Sequence, residues 1–196
     1  MPRNKEDARR RLVTAALELF GASGFDQTTA AQIAARAGVT ERTFFRHFPD
    51  KREVLFVGQS ILGTALSQAI VEAPPECSPI AALRRAFVSV ADMLEQNRQF
   101  SEPRRHIIAA TPALQEREVA KHAALTQMVA ETLQKRGVES RRAALAAQAG
   151  MAVLSYALNG WFADPSSGLV HHLDRAFEEL QGLSSPPDHK WAPAFK

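Results

Sequence analysis

The chain of 196 residues holds a single cysteine, Cys77. That excludes an intrachain disulfide and a cysteine-based metal site. Its setting, Pro-Pro-Glu-Cys-Ser-Pro, is that of a connection between elements. No apolar run reaches the roughly 18 residues that a spanning helix needs. The polar start is unlike a secretory signal, so a cytoplasmic protein with no membrane partner is expected. Strand-like alternation, hairpin signals and internal repeats are missing, which leaves an all-α chain. There is no Gly-rich phosphate loop and no Glu-x-x-His pair of the kind that builds a di-iron bundle. No catalytic residue, metal or cofactor is expected, and the chain is not read as an enzyme.

What is present is enough apolar matter for a core, 45% of residues, and a formal net charge of only +3. The distribution of that charge says more than its sum. Arg3, Lys5, Arg9, Arg10 and Arg11 crowd the first eleven residues against Glu6 and Asp7. Such a segment is either a phosphate-neutralising arm or the solvated start of a helix.

The most informative stretch runs from Gly24 to Glu53. Thr29 is placed to cap a short helix, with Gln32 at the capping-box position. Ile33, Ala34 and Ala37 make its apolar stripe, and Gly38 ends it. Thr40 caps a second short helix whose Phe44 and Phe48, four residues apart, share one buried face. The other face carries Arg42, Thr43, Phe45 and Arg46. Two capped helices of about two turns, joined by a tight Gly turn and basic on the outside, are either a hairpin inside a helical core or a unit that lays its second helix in a DNA major groove.

Thr28-Thr29, Ile33-Ala34, Ala37-Gly38-Val39-Thr40, Thr43-Phe44-Phe45, His47-Phe48-Pro49 and Lys51 together resemble the N-terminal pattern of the TetR-type transcriptional regulators. The resemblance covers about a quarter of the chain. It implies an N-terminal DNA-reading domain followed by a C-terminal helical domain that dimerises and binds a small effector.

The expected organisation is a helix-turn-helix DNA-binding domain at 1–53, a helical effector-binding and dimerisation domain at 54–183, and a flexible tail at 184–196. Helices are predicted over about 5–22, the two short ones, 50–72, 78–96, a shorter one from Ser101, 111–136, 140–163 and 168–181. The change of domain is expected inside the fourth helix, 50–72, not in the Pro-rich loop at 73–79.

Candidate DNA contacts are Thr28, Thr29, Thr40, Arg42, Thr43, Phe45, Arg46, His47 and Lys51. Arg42 has the fork that pairs with guanine O6 and N7, and Thr43 reaches a phosphate or a thymine methyl. Thr28 and Thr40 sit at helix starts, where hydroxyls and N–H groups meet phosphates. Lys51 is read as a phosphate contact at the start of the next helix. His47 is a packing or phosphate residue. Members of the family commonly carry tyrosine where Phe45 stands, so Phe45 makes apolar contact without a hydroxyl bond.

Met93, Phe100, Ile107, Leu125, Met128, Tyr156, Trp161 and Phe162 are candidates for an effector pocket, each equally readable as core. Arg104 and Arg105 would be its anion handle, or a solvated basic face. The small residues of 143–152 permit close helix approach. Ala146, Gly150, Val153, Leu173 and Phe177 are assigned to a homodimer interface. Two reading helices on a symmetric dimer would then address a palindromic operator in double-stranded DNA. The functional expectation is a sequence-specific regulator, a repressor released by an effector that is apolar and anionic. The alternative is a helical enzyme or interaction module in which the motif is incidental.

Overall fold

A computed structural model describes residues 2–184, with side chains over 6–183. Among the described residues it is all-helical: α1 Pro2–Ser23, α2 Ala30–Arg36, α3 Glu41–His47, a 3-10 segment Glu53–Phe56, α4 Val57–Glu72, α5 Pro79–Ser89, α6 Ala91–Gln96, α7 Arg98–Ala109, α8 Pro112–Lys135, α9 Ser140–Ala163 and α10 Leu169–Ser184. The expected tail at 184–196, apart from Ser184 at the end of α10, lies outside the described residues, as do the side chains of Arg3 and Lys5.

The chain divides into two compact units. The first takes in residues up to Ala65 together with Gln96–Met128, and the second takes in Leu66–Glu95 and the residues from Val129 on. The division therefore falls inside α4, at the last residue of α6 and again inside α8.

The first unit is built on α1, which packs against α2, the 3-10 segment and α7. Leu12, Ala16 and Phe20 of α1, Ile33 and Ala34 of α2, and Phe44 and Phe48 form one core with Val54, Leu55, Ile107, Ile108 and Leu114. Burial of a large apolar side chain contributes about 1.5–3 kcal/mol, so these residues hold α2 and α3 in place. The chain leaves α1 through Gly24 at φ +80, and Phe25 folds back until its ring lies 5.1 Å from that of Phe20. Ile107, a candidate for an effector pocket, is part of this core. The reason is that α7 lies directly on α1.

Asp50 caps the chain ahead of the fourth stretch, its Oδ1 accepting from the N–H of Arg52 at 2.7 Å and of Glu53 at 3.2 Å. Glu53 does not complete a capping box. It reaches α8 instead, where Arg117 donates at 2.5 Å and Lys121 at 3.0 Å. Arg104 of α7 donates to the Leu55 carbonyl at 2.5 Å and to Glu118 at 3.0 Å, with its guanidinium 5.1 Å from the centre of the Phe56 ring. Arg104 is thus tied into the first unit by Leu55 and Glu118 and is not an open anion handle. Burial pulls its pKa down, against the opposing charge of Glu118.

Two expected helices are cut differently. The stretch 78–96 breaks at Val90, where Ser89 Oγ donates to the Ala86 carbonyl at 2.8 Å, a side-chain bond that competes with the ladder. α7 starts at Arg98, ahead of Ser101, supported by the Arg98–Glu102 pair at 3.2 Å, and carries Pro103 inside it. Residues 53–72 form the one described stretch long and apolar enough to cross a membrane by length and composition, against the expectation of none. Leu66 and Ile70 in it are fully buried, which identifies their apolar surface as core.

In the second unit α9 packs against α10 and α5, and α10 against α5. The residues assigned to a dimer face are interior here: Ala146, Gly150, Val153, Leu173 and Phe177 are all buried within one chain. A Cβ on Gly150 would lie 2.6 Å from Leu83 Cδ1, and the Phe177 ring stacks on Phe87 at 6.1 Å. Small residues mark close approach, but the partner is α5 of the same chain. Gly150→Ala should therefore destabilise the fold by about 1–3 kcal/mol through overpacking, read as a lower thermal midpoint.

Burial works against the charge of Glu53, but the bonds from Arg117 and Lys121 outweigh it and hold the carboxyl below its ordinary value. A depressed carboxylate adds stability above its unfolded pKa and loses it as pH falls through the folded one. Glu53→Gln should cost about 1–2 kcal/mol near neutral pH. The difference from the unaltered chain should shrink below about pH 4.3, as followed by urea denaturation across pH.

Candidate nucleic-acid interface

The surface is assembled from two helix starts and one helix face. At α2, Thr29 Oγ1 accepts from the N–H of Gln32 at 3.2 Å, and Gln32 Oε1 accepts from the N–H of Thr29 at 2.8 Å, completing the capping box. At α3, Thr40 Oγ1 accepts from the N–H of Thr43 at 3.2 Å and lies 3.0 Å from the Thr43 hydroxyl. Each cap leaves neighbouring N–H groups at the positive end of a helix dipole, where an anion is favoured.

Between the helices, Gly38 turns the chain at φ +66. Arg11 of α1 donates to the Ala37 carbonyl at 2.8 Å and pairs with Asp7 at 3.2 Å. Sequence reading leaves Arg11 in either a phosphate-neutralising arm or a solvated helix start, whereas its guanidinium closes the carbonyl end of α2. The one sequence signal for this is the Asp7–Arg11 spacing of four, which orients the side chain along α1.

The outer face of α3 holds Arg42, Phe45 and Arg46, all exposed. Phe45 is 50% exposed, and its ring meets that of buried Phe44 edge-on at 5.4 Å. The exposed ring thus leans edge-on against a buried one. His47 is half-buried with its ring 6.2 Å from that of Phe48, in keeping with a packing role. Arg9 of α1 lies over the other aromatic anchor, 5.8 Å from the Phe48 centroid.

Two expected contacts are turned inward. Thr28 is 2% exposed and its hydroxyl donates to the Gly24 carbonyl at 2.8 Å. That hydroxyl is withdrawn from any phosphate because it closes the turn ahead of α2. Lys51 Nζ donates to the carbonyls of Phe25 and Thr28 at 2.7 and 2.9 Å. The ammonium is held by the protein's own backbone.

The effector candidates fall in both units. In the first, Leu125 and Met128 close over Gly63 of α4, at 3.4 and 3.1 Å from where its Cβ would be, while Phe100 and Arg105 are half-buried. In the second, Trp161 is buried against Phe162 with ring centres 4.8 Å apart, and Met93 is half-buried. Tyr156 is 60% exposed and its hydroxyl bonds Glu179 of α10, so it is a surface residue and not a pocket wall.

Two capped seven-residue helices around a Gly turn, with a basic face outward and further helices following, define a helix-turn-helix unit with a helical C-terminal part. Comparison with known proteins is consistent with this. A model of the bacterial regulatory proteins of the tetR family matches residues 12–56, and a model of the MftR C-terminal domain matches residues 77–183. The chain belongs to the TetR family.

It is 42% identical over 82 residues to the HTH-type transcriptional regulator TcmR of Streptomyces glaucescens, covering 42% of this chain and 36% of that protein. The chain likewise spans under half, 45%, of the regulator SrpR of Pseudomonas putida. The putative mycofactocin biosynthesis regulator MftR of Mycobacterium tuberculosis is 26% identical over 187 residues, with 91% and 94% covered. Solved structures share the fold: Thermus thermophilus FadR with lauroyl-CoA at TM-score 0.56 and 24% identity covers 95% of this chain and 100% of its own. SmeT with triclosan reaches 0.60 at 21% identity, covering 88% and 90%.

Arg42→Ala should weaken specific DNA binding by about 1–3 kcal/mol and relax preference at one position per half-site. The measurement is a competition titration over a set of single-base operator variants. A uniform loss across all of them would remove Arg42 from the base edge.

Proposed function

We propose that the chain is a sequence-specific DNA-binding repressor, acting in the cytoplasm as a homodimer and released by a small molecule. The observation that carries the reading is the α3 face. Arg42, Phe45 and Arg46 stand exposed between two capped helix starts, in the family where that motif is the DNA-reading element.

One α3 reads only a few base pairs, so two copies on a two-fold are required for a palindromic site, with half-sites about one helical turn, ~34 Å, apart. With Ala146, Gly150 and Val153 interior, the dimer surface falls to the outer sides of α9 and α10. Leu145, Ala152 and Tyr156 are exposed along α9, and Arg175, Glu179 and Leu183 along α10. Leu145 is 69% exposed, an apolar side chain of the sort a partner copy covers. Leu145→Glu with Tyr156→Glu should give folded monomers, since the same patch meets itself across a two-fold and like charges are then desolvated together. Light scattering showing an unchanged dimer would move the interface elsewhere.

The effector is proposed to be an apolar small molecule. Support comes from two proteins of this fold whose structures carry lauroyl-CoA and triclosan. Both serve as probes in a gel-shift with the DNA flanking the chain's own gene. Coupling of about 1–3 kcal/mol would lower operator affinity roughly 5- to 150-fold, and by reciprocity operator would weaken the effector equally. An effector that binds equally with and without operator leaves the DNA reading intact and removes the ligand gate.

A further inference from the structure

Lys51 follows Asp50 in the loop after α3, at the place where a cation would be expected to meet a phosphate, yet its charge is turned inward. Nζ lies 2.7 Å from the Phe25 carbonyl, 2.9 Å from that of Thr28 and 3.4 Å from that of Asp26. It also stands 4.2 Å from the centre of the Phe25 ring. An ammonium has three N–H donors, and three carbonyls and an aromatic face surround this one. The site offers a cation acceptors for its protons and a negative ring face.

The three carbonyls belong to the turn that leads into α2, and Thr29, the next residue, is the cap of that helix. The same turn is closed from within by the Thr28 hydroxyl on the Gly24 carbonyl at 2.8 Å. Lys51 joins it to the exit of α3, 23 residues away in sequence from Thr28. Moving the ammonium out to a phosphate would leave these carbonyls without their charged donor.

We propose that Lys51 is a positioning residue for DNA binding: it staples the start of α2 to the exit of α3 and neutralises no phosphate. This rests on the DNA-binding reading above. By locking the turn before Thr29, it sets the direction of the N–H groups at the start of α2 relative to the basic face of α3. Specific affinity then depends on Lys51, while the ion release that accompanies binding does not.

The salt dependence separates the two roles. Each phosphate neutralised adds about 0.9 to the slope of log affinity against log salt. Lys51→Met keeps the stem and removes the charge and its donors. Operator binding by fluorescence anisotropy is measured over a salt series, at a temperature where circular dichroism shows the variant as helical as the unaltered chain. The expected result is an operator affinity lower by roughly tenfold or more, with the slope unchanged. A purely structural role would leave the affinity of the folded variant intact, and so would overturn the proposal. A slope smaller by about 0.9 would overturn it in favour of a phosphate contact.

Nitrogen NMR of the unaltered protein gives a readout that survives misfolding of the variant. The Lys51 ammonium should be visible and slowly exchanging without DNA and should stay in place when operator is added. A signal that appears only with DNA contradicts the staple. If the unaltered chain shows no operator preference, the regulator reading falls and this role with it. A preserved preference with a changed slope removes this role alone.

Discussion

A helix of seven residues closes only about three backbone hydrogen bonds of its own, too few to offset the entropy of nucleation. Both α2 and α3 have this length. Their persistence depends on what is fastened to their ends and on one buried side each. The starts are closed by Thr29 with Gln32 and by Thr40. The buried sides are Ile33 and Ala34 in one, and Phe44 in the other, with Phe48 just beyond. The end of α2 is closed by Arg11 from a different helix. Remove these fastenings and the reading surface has no fixed geometry.

The same device recurs across both units. Cationic side chains donate to carbonyls that helix ends and turns leave unsatisfied. Arg11 serves Ala37, Lys51 serves Phe25 and Thr28, and Arg104 serves Leu55. In the second unit Arg136 donates to the carbonyls of Ile70, Ala73 and Pro74 at 2.8, 2.5 and 2.8 Å, closing α4. Several cations that a charge count would offer to DNA are therefore engaged in holding backbone. Arg42 and Arg46, exposed on α3, are among the cations left to face phosphate.

Local signals were legible and long-range ones were not. The caps of α2 and α3, the Gly38 turn and the extent of α9 at 140–163 follow from residue types within a few positions, and the structure agrees. The small residues of α9 announced close packing but carried no information on the partner, because Leu83 of the same chain and a second copy are equally compatible with a glycine at 150. Thr28 and Lys51 were read outward because polar residues at helix starts face anions often. The acceptors of Lys51 lie elsewhere in the chain, 23 residues away for Thr28, and no spacing rule reaches so far, while the Thr28 hydroxyl turns back on the Gly24 carbonyl four residues earlier. Arg104 was ambiguous for the same reason, its partners Leu55 and Glu118 being set by the packing of α7.

The division of the chain bears on how a ligand could act. α4 passes from one unit to the other between Ala65 and Leu66, and α8 between Met128 and Val129. Within the first unit the two helices are bound together, by Glu53 with Arg117 and Lys121 and by the close approach of Gly63 to Leu125 and Met128. α7 joins them through Arg104 on Leu55 and Glu118. Bending α3 inside this unit would break several buried contacts at once, whereas carrying the unit as a body leaves those contacts intact. Under the proposed release mechanism, an effector therefore acts by changing the separation of two intact reading heads and not the shape of either. The tight packing that fixes α3 for recognition is the same property that makes such a rigid response available.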